Sequence, residues 1–264
     1  MTVSCHREVP KYFAVEISPK KSKYCLVIPV INEGERLLKQ LDAINSGDFG
    51  LDIIIADGGS TDGSVSKQNL LERNVRTRLT KVGSGKLSAQ IRMAFDYALN
   101  EQYEGVITID GNGKDGVVAI NGMTLCLDDG FDFVQASRFV PGGRAVNTPL
   151  SRFVAIKFLH APITSLAAGF RYTDTTNGFR GHSRRLIEDN RVGVFRNIFD
   201  TYELLAYIPI RAARLGFRCI EIPATRQYPE LGNIPTKIHG VRAQLDLLKI
   251  LAMAACGKYN PKSS

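Results

Sequence analysis

Apolar runs that end in short polar turns dominate the first half of the chain. Three of these runs have the length of strands. In the segments between the runs, apolar side chains recur at helical spacing, as in 87–99. Strands that alternate with amphipathic helices form right-handed βαβ units, so the pattern predicts a parallel sheet flanked by helices. The predicted strands are 24–30, 52–56, 78–82 and 105–109, and the predicted helices are 35–44, 63–72 and 88–100.

The second half has a less regular pattern. It predicts strands at 131–137 and 219–222, helices at 150–168, 203–215 and 241–255, a polar turn at 173–180, and loops that begin at Pro141 and Gln227. Pro162 is expected to kink the first of these helices. No internal repeat is visible. We therefore expect one α/β domain with a central, mostly parallel sheet.

Composition shifts set the expected boundaries of this domain. It covers 24–240, with a nucleotide half at 24–115 and an acceptor half at 116–240. Residues 1–23 contain two prolines and a lysine cluster and are expected to be a loosely held, flexible arm. Residues 241–264 are expected to form a C-terminal amphipathic helix and a tail.

The composition indicates a globular protein with a basic surface. Of 264 residues, 34 are Lys or Arg and 26 are Asp or Glu, which gives a formal net charge of +8. This charge favours anionic partners, but no basic run typical of a nucleic-acid module is present, so we expect no nucleic-acid partner. Five cysteines without a C-x-x-C pair argue against a zinc site or a disulfide framework. With no signal core and no apolar run of about 20 residues, a cytoplasmic protein is expected.

The polar turn after the second strand is a candidate nucleotide site. Asp57 follows that strand directly, where a carboxylate can accept hydrogen bonds from a base or a ribose. Gly58 and Gly59 allow the backbone to approach a ligand closely. Ser60 and the two residues after it also suit the cap of the next helix, which is the alternative role of this turn. Capping does not account for Asp57, because it lies too far before the predicted helix to cap it.

The turn after the strand at 105–109 is a candidate site for a metal and a diphosphate. Asp110 and Asn112 are one residue apart, so both can reach a hard divalent cation, Mg²⁺ or Mn²⁺, which in turn neutralises a diphosphate. A simple turn between strands is the alternative. Lys114 and Asp115 keep this loop polar. A short glycine-rich segment earlier in the chain ends in Lys86, which can contact the donor or its diphosphate.

Taken in order, these turns resemble the motifs of the family 2 glycosyltransferases, which have a GT-A (Rossmann-like) fold. The three motifs are Pro29-Val-Ile-Asn32-Glu33, Asp57-Gly-Gly-Ser60-Thr-Asp62, and Asp110-Gly-Asn112 where the family has Asp-x-Asp. Segments at 136–143, 149–152, 174–180 and 213–223 resemble the polyprenyl-phosphate branch, typified by dolichol-phosphate mannosyltransferase. The segment 226–237 differs from the basic loop expected in a dolichol-phosphate enzyme.

The resemblance implies roles for individual positions. Asp57 would hold the base of the nucleotide, and Asp110 and Asn112 would hold the metal and the diphosphate. Arg138 and Arg180 would bind an anionic phosphate. The residues expected to contact the nucleotide, with Lys86 included from its own motif, are Pro29, Asn32, Glu33, Asp57, Gly58, Ser60 and Lys86.

The expected activity is sugar transfer with inversion, inversion being implied by the family. The donor would be a UDP- or GDP-linked sugar, and the acceptor a lipid phosphate or a glycan in cell-envelope polysaccharide or glycoconjugate synthesis. A phosphate acceptor is already anionic and would rely on Arg138, Arg152 and Arg180, whose forked donors suit phosphate oxygens. A hydroxyl acceptor needs a general base, for which Glu203 and Asp200 are candidates, unless they only add charge to a helix N-terminus.

Two other functions stay open at this point. A sugar-nucleotide nucleotidyltransferase also has an α/β sheet with acidic loops, although 30–36 matches its glycine-rich, arginine-bearing loop poorly. A non-catalytic nucleotide-sugar-binding protein is suggested by Asn112, a neutral residue where the family has a second carboxylate.

The final helix raises the question of a membrane surface. Its apolar repeat is Val241, Leu245, Leu248, Ala252 and Ala255, and its flanking cations are Lys237, Arg242, Lys249 and Lys258. A basic amphipathic helix can lie on an anionic membrane, which would make the protein peripheral on the inner face. The interpretation that we prefer is a C-terminal helix that packs on the core.

Overall fold

The computed structural model describes residues 7–230 and 240–262. The strands in that part of the chain are β1 (Tyr12–Glu16), β2 (Tyr24–Val30), β3 (Asp52–Asp57), β4 (Val75–Lys81), β5 (Gly105–Thr108), β6 (Phe133–Ser137), β7 (Arg144–Val146), β8 (Arg180–Ser183), β9 (Cys219–Pro223) and β10 (Thr225–Gln227). Eight form one sheet in the order β1-β4-β3-β2-β5-β8-β6-β9, and β7 pairs with β10 in a separate ladder. Positions 1–6 of the expected arm, 231–239 with part of the loop after Gln227, and 263–264 lie outside the described residues.

Helices cover both faces of the large sheet. They are α1 (Glu35–Gly47), α2 (Lys67–Leu71), α3 (Leu87–Asn100), α4 (Ala119–Asp128), α5 (Leu150–Ala155), α6 (Ala161–Ala168), α7 (Arg184–Glu188), α8 (Glu203–Arg214) and α9 (Gly240–Ala255). Along β2, Cys25 and Val27 pack in the layer that contains α3, whereas Leu26 and Ile28 pack in the layer that contains α1. A strand buried on both faces is a continuous apolar run, which is why the sequence pattern was clear here. The expected α/β domain is confirmed.

The sheet is mostly parallel, with an antiparallel strand at one edge and another in the interior. β4, β3, β2 and β5 run parallel to one another, as expected from the βαβ pattern. β8 lies antiparallel between β5 and β6. A polar turn was predicted at 173–180 and no strand after it, because the β8 sequence Arg-Gly-His-Ser lacks apolar residues. Its polar side chains Arg180 and His182 are nevertheless buried.

The expected flexible arm is corrected over 12–16. This segment is β1, which pairs antiparallel with β4, Tyr12 opposite Lys81 and Glu16 opposite Thr77. This strand was not predicted because it lies at the edge of the sheet and is largely open to solvent, so it has no run of buried apolar residues. Phe13 in its middle is 69% exposed.

Two of the predicted helices differ in detail from the structure. The helix expected at 63–72 begins at Lys67, since Ser66 is its N-cap and accepts a hydrogen bond from the Asn69 N–H. The helix expected at 150–168 is interrupted by a wide π-helical turn, Ile156–His160, before α6. Pro162 lies in the first turn of α6. Because it has no N–H to donate to the carbonyl of the preceding turn, the regular α-helical hydrogen bonding is interrupted there.

The final helix packs on the core, which was the preferred interpretation of its sequence. Leu251 and Ala254 of α9 are buried, and Ala254 belongs to the cluster that contains residues of α8. Leu245 and Ala252, on the stripe chosen from the sequence, are exposed instead. Among the described residues, no helix is long and apolar enough to cross a membrane.

Candidate active site

The sheet brings the expected polar turns to one edge. β3 and β5 pair in parallel with β2, one on each side, so the turns after them end at the same edge. Asp57 is in register with Val30, and Thr108, two residues before Asp110, is in register with Val27. Neighbouring strands lie about 4.8 Å apart, so the two turns are separated by roughly two strand spacings. The turns that carry Asp57 and Asp110 therefore lie at the same edge of the sheet.

A cavity of about 1170 Å³ opens at this edge. Its polar wall comes from the turns after β2, β3 and β5, from the start of α3 and from β10. The predicted residues that line it are Pro29, Glu33, Gly58, Lys86, Asp110, Asn112 and Arg152. Residues that line it and that the sequence analysis did not assign include Arg36, Gln90, Tyr202, Arg226 and Tyr228. Most of the residues named here are charged or polar.

The helical side of the cavity contributes most of its large apolar side chains, together with polar residues such as Ser151, His160 and Thr164. It is contributed by α5, the π-helical turn, α6, α8 and α9. Its apolar residues are Ala155, Ile156, Leu205, Ala206, Leu247, Ile250 and Leu251. The final helix thus closes one side of the site.

The first two turns are tied to each other by the motif residues. Asn32 donates its N–H to Ser60 Oγ at 3.0 Å and accepts the Thr61 N–H at 2.8 Å, and the Gly34 N–H bonds to Asp62 at 2.8 Å. Asn32 has a φ of 50°, a left-handed conformation that Asn tolerates better than most residues. Asn32 and Ser60 do not line the cavity, so their contacts shape its rim.

Asp57 is engaged inside its own turn. Its Oδ1 accepts the N–H groups of Gly59 at 3.1 Å and Ser60 at 2.8 Å, and Oδ2 lies 3.5 Å from the Thr80 hydroxyl. Only 2% of Asp57 is exposed, and Gly58, not Asp57, lines the cavity. A role for Asp57 at the base stays a prediction.

Gln90 was missed by the sequence analysis. Its side-chain amide donates to the carbonyls of Val30 at 2.9 Å and Ala56 at 2.8 Å, which fastens the ends of β2 and β3 to α3. A Cβ on Gly58 would lie 3.0 Å from the same amide. The glycine-rich turn that ends at Lys86 is also tightly packed. A Cβ on Gly85 would lie 2.6 Å from Asp200 Oδ1.

Arg226 links two carboxylates at the polar wall. It donates to Asp110 Oδ2 at 2.9 Å, to Asp115 Oδ2 at 2.5 Å and to Asn177 Oδ1 at 3.2 Å, and 7% of its side chain is exposed. Burial alone would raise the pKa of Asp110, but Arg226 and, less strongly, Lys114 hold it below its usual value. Burial dominates at Asp115 and raises its pKa. Sequence reasoning missed Arg226, which lies 116 positions from Asp110 on a three-residue strand.

Tyr228 gathers three cations beside this ion pair. Its ring centroid lies 5.2 Å from Lys114 Nζ, 5.4 Å from Arg152 Cζ and 5.9 Å from Arg226 Cζ. Its hydroxyl accepts a hydrogen bond from Arg152 at 3.0 Å. Cations within about 6 Å of an aromatic centroid are attracted to the ring face. Although burial alone would raise the pKa of Tyr228, Arg226 and Arg152 together lower it.

Arg138 was predicted to bind a phosphate, and the structure places it behind the cavity wall. It makes hydrogen bonds to the Asp174 carboxylate at 2.6 and 2.8 Å and to Thr176 Oγ1 at 3.0 Å. Only 1% of its side chain is exposed, and it does not line the cavity. Its contact is with the loop 174–178, of which Thr175 and Thr176 form part of the wall.

Arg180 is also placed behind the wall rather than in it. Its guanidinium donates to the carbonyls of Thr175 at 2.9 Å, Asn177 at 3.0 Å and Leu205 at 2.8 Å. Burial lowers the pKa of Arg180 to about 10. Both predicted phosphate ligands therefore position the loop 174–178, and only Arg152 of the three predicted arginines reaches the cavity.

Glu203 lies in the first turn of α8, in the position of the N-terminal charge that was the alternative to a catalytic role. As the first residue of α8 it accepts hydrogen bonds from the Thr201 N–H and hydroxyl, both at 2.6 Å, and it does not line the cavity. At Gly178 a Cβ would lie 2.5 Å from Asp110 Oδ1, so a larger residue there would displace this carboxylate.

The contacts of the predicted metal ligands do not fit a divalent cation. Asp110 Oδ2 is held by Arg226, and Asn112 Oδ1 accepts the Lys114 N–H at 3.2 Å. Asp115 Oδ1 is buried without a partner among the described residues, but Asp115 does not line the cavity. Within 7–230 and 240–262, no three His, Cys, Asp or Glu residues form a group that could hold a metal. A cation at Asp110 would also lie against the guanidinium of Arg226.

A family model described as Glycosyl transferase family 2 matches residues 25–191, more than half of the chain. The chain therefore belongs to glycosyl transferase family 2 and is a glycosyltransferase. The resemblance found from the motifs is confirmed, and the leading expectation is favoured over a nucleotidyltransferase.

Two relatives support the polyprenyl-phosphate branch of the family. Polyprenol monophosphomannose synthase of Mycolicibacterium smegmatis is 26% identical over 239 residues, which covers 88% of this chain and 87% of that protein. Undecaprenyl-phosphate mannosyltransferase of Micrococcus luteus is 29% identical over 218 residues, which covers 78% of this chain and 84% of that protein.

Solved structures of glucosyl-3-phosphoglycerate synthase from Mycobacterium tuberculosis share the fold. The complex with Mn²⁺, UDP and phosphoglyceric acid superposes with a TM-score of 0.61 at 15% identity, covering 93% of this chain and 86% of that one. The complex with Mg²⁺ and UDP gives 0.62 at 15% identity, covering 91% and 80%. At these identities the likeness establishes the GT-A architecture alone.

Proposed function

We propose that the chain transfers a sugar, with inversion, from a nucleoside-diphosphate donor to the phosphate of a polyprenyl phosphate. The observation that carries this proposal is the make-up of one cavity, which has a charged wall on the sheet side and an apolar wall on the helix side. A ligand with an anionic head and a hydrocarbon tail matches both walls. The two relatives, which are named for polyprenyl compounds, point to the same ligand class.

The donor nucleotide is assigned to the turns after β2 and β3. Pro29, Glu33 and Gly58 line this part of the cavity, and Lys86 lies at the start of α3 on the same wall. The diphosphate then faces Asp110 and the cations around Tyr228. The solved neighbours contain UDP, while the base and the sugar of the donor stay open here between UDP- and GDP-linked sugars.

The acceptor phosphate is assigned to Arg152. Its guanidinium lies on α5, at the boundary between the apolar helices and the cluster around Tyr228. A phosphate oxygen attacks the anomeric carbon, the bond from that carbon to the donor diphosphate breaks, and the nucleoside diphosphate leaves with the bonding electrons. No proton has to be removed from an ionised phosphate, so the position of Glu203 outside the cavity is consistent with this acceptor. Fixed cations that face the departing diphosphate stabilise its charge.

The divalent cation that the sequence analysis expected stays a prediction for this chain. The solved neighbours contain Mn²⁺ or Mg²⁺. The contacts of Asp110 and Asn112 support a different source of the positive charge that faces the diphosphate.

A second apolar surface supports peripheral membrane association through a different helix from the one considered in the sequence. Leu150, Val154 and Phe158 recur every four residues along α5 and the π-helical turn, and they are 76%, 45% and 75% exposed, with Leu166 of α6 at 83%. Exposed apolar patches of this kind mark interaction sites, and Lys157 among them suits anionic headgroups. We propose that this face rests on the inner face of the membrane, next to the apolar wall.

Vesicle co-sedimentation tests the membrane surface. Phe158→Asp and Leu166→Asp should reduce binding to anionic vesicles, whereas Leu125→Asp, at a 68% exposed leucine of α4, should bind as the wild type does. Equal binding by all three variants would remove this surface from the proposal.

A transfer assay tests the function itself. The purified protein is incubated with UDP- and GDP-linked hexoses and with undecaprenyl phosphate, undecaprenol or a soluble oligosaccharide, and products are separated by mass spectrometry. We expect one sugar on the lipid phosphate, formed from donors of one base, and none on undecaprenol. Transfer to the oligosaccharide at the same rate as to the lipid phosphate would contradict the proposed acceptor. Arg152→Met should raise the acceptor KM by about tenfold, with a smaller change in the donor KM.

A further inference from the structure

We infer that Lys114 and Arg226, and not a divalent cation, supply the positive charge that faces the diphosphate in this glycosyltransferase. The inference rests on the proposed function, because it concerns how the donor of that reaction is held. It departs from the solved neighbours, whose complexes contain Mn²⁺ or Mg²⁺.

Arg226 already occupies Oδ2 of Asp110, the oxygen that a bound cation would otherwise share. One of its terminal nitrogens bonds Asp110 and the other bonds Asp115, at 2.9 and 2.5 Å. Its backbone is held by the pairing of β10 with β7 and by a bridge to Asp115. A guanidinium locked in this way is a permanent, preorganised charge at the cavity wall.

Lys114 adds a second cation from the same loop as Asp110. Its side chain lines the cavity, with Nζ 5.2 Å from the centroid of the Tyr228 ring. Asn112, between Asp110 and Lys114, uses its Oδ1 for the Lys114 N–H at 3.2 Å. The residue expected to be the second metal ligand therefore orders the loop that carries the lysine.

The charge balance of the cavity points the same way. Among the described residues that line it, five carry a positive charge and two carry a carboxylate. The cations are Arg36, Lys86, Lys114, Arg152 and Arg226, and the carboxylates are Glu33 and Asp110. A wall of this sign attracts a diphosphate directly and repels a free divalent cation.

Calorimetric titration with UDP and with GDP tests the inference without turnover. Wild type is titrated in EDTA and again in excess Mn²⁺. We expect one of the two nucleotides to bind, with a Kd that differs by less than about twofold between the two conditions. Lys114→Gln should weaken binding at least tenfold in EDTA, while Lys67→Gln, at an exposed lysine of α2 that does not line the cavity, should leave the Kd unchanged.

Arg226 is probed by the conservative variant, because a neutral residue there would leave two buried carboxylates without their partner. Arg226→Lys keeps a positive charge but loses the two terminal nitrogens that bond Asp110 and Asp115. We therefore expect weaker nucleotide binding, which Mn²⁺ does not restore. Wild-type affinity that rises tenfold or more with Mn²⁺, or Lys114→Gln binding like wild type, would overturn the inference and leave the proposed function intact. Binding of neither nucleotide under either condition would instead overturn both.

Discussion

Gly178 lies against Asp110, and replacing it with alanine should displace the carboxylate at the centre of the site. A Cβ at this position would be 2.5 Å from Asp110 Oδ1, whereas ordinary contacts begin at 3.4 Å. The carboxylate therefore has to move by about 0.9 Å. It cannot do so freely, since its other oxygen is bonded to Arg226 at 2.9 Å.

A misplacement of about 1 Å in a catalytic site can cost roughly 100-fold in rate. We therefore expect kcat/KM of Gly178→Ala to fall by one to two orders of magnitude. The effect on stability should be smaller. Overpacking costs about 1–3 kcal/mol, and the loss of glycine's freedom in the unfolded chain returns about 0.4–1 kcal/mol.

The matched control is Gly116→Ala, in the same loop as Lys114 and Asp115. A Cβ there would meet its nearest atom, in Thr225, at 3.5 Å, an ordinary contact. Both variants are compared by transfer kinetics and by urea denaturation. If the two variants retain the same kcat/KM, the tight packing of the loop 174–178 on Asp110 has no role in catalysis and our account of the site fails there.

Three further predictions follow from single contacts. Tyr228→Phe loses the hydroxyl's 3.0 Å hydrogen bond but keeps the ring beneath three cations, so kcat/KM should fall by roughly threefold to tenfold, and further in Tyr228→Leu. Arg138→Met leaves Asp174 as an unpaired buried charge and should lower the free energy of unfolding by about 3–5 kcal/mol in urea titrations, whereas Arg191→Met, at an exposed ion pair, should change it little. Burial lowers the pKa of His182 to about 3, so only the unfolded chain takes up its proton as the pH falls below about 6.5. The free energy of unfolding should then drop by about 1.4 kcal/mol per pH unit from this group, and His182→Gln should show a correspondingly shallower dependence in urea titrations.

The edge of the sheet that carries the site could be predicted from sequence because its strands are buried on both faces. β2, β3 and β5 are continuous apolar runs, and each ends in a turn whose polarity stands out. β1 and β8 gave no such signal. The first is an exposed edge strand, and the second buries polar side chains whose partners lie far away in sequence.

The roles of the arginines could not be predicted, because a motif does not reveal which way a side chain faces. Arg138 and Arg180 were recognised as motif residues, yet they hold the loop 174–178 from behind the wall. Arg226 was overlooked, since only the pairing of β10 with β7 brings it to Asp110. Tertiary contacts of this range are absent from any local pattern.

The most direct test of the account is where a polyprenyl phosphate binds. A photoreactive polyprenyl phosphate, with its diazirine in the first isoprene units, is irradiated on the protein and the labelled peptides are sequenced. We expect labels on α8 and α9, at peptides that contain Leu205, Leu247 or Ile250, and we expect unlabelled undecaprenyl phosphate to suppress them. Labels that fall only outside this cavity, or that undecaprenol suppresses equally well, would contradict the claim that one cavity holds both the charged head and the lipid chain of the acceptor.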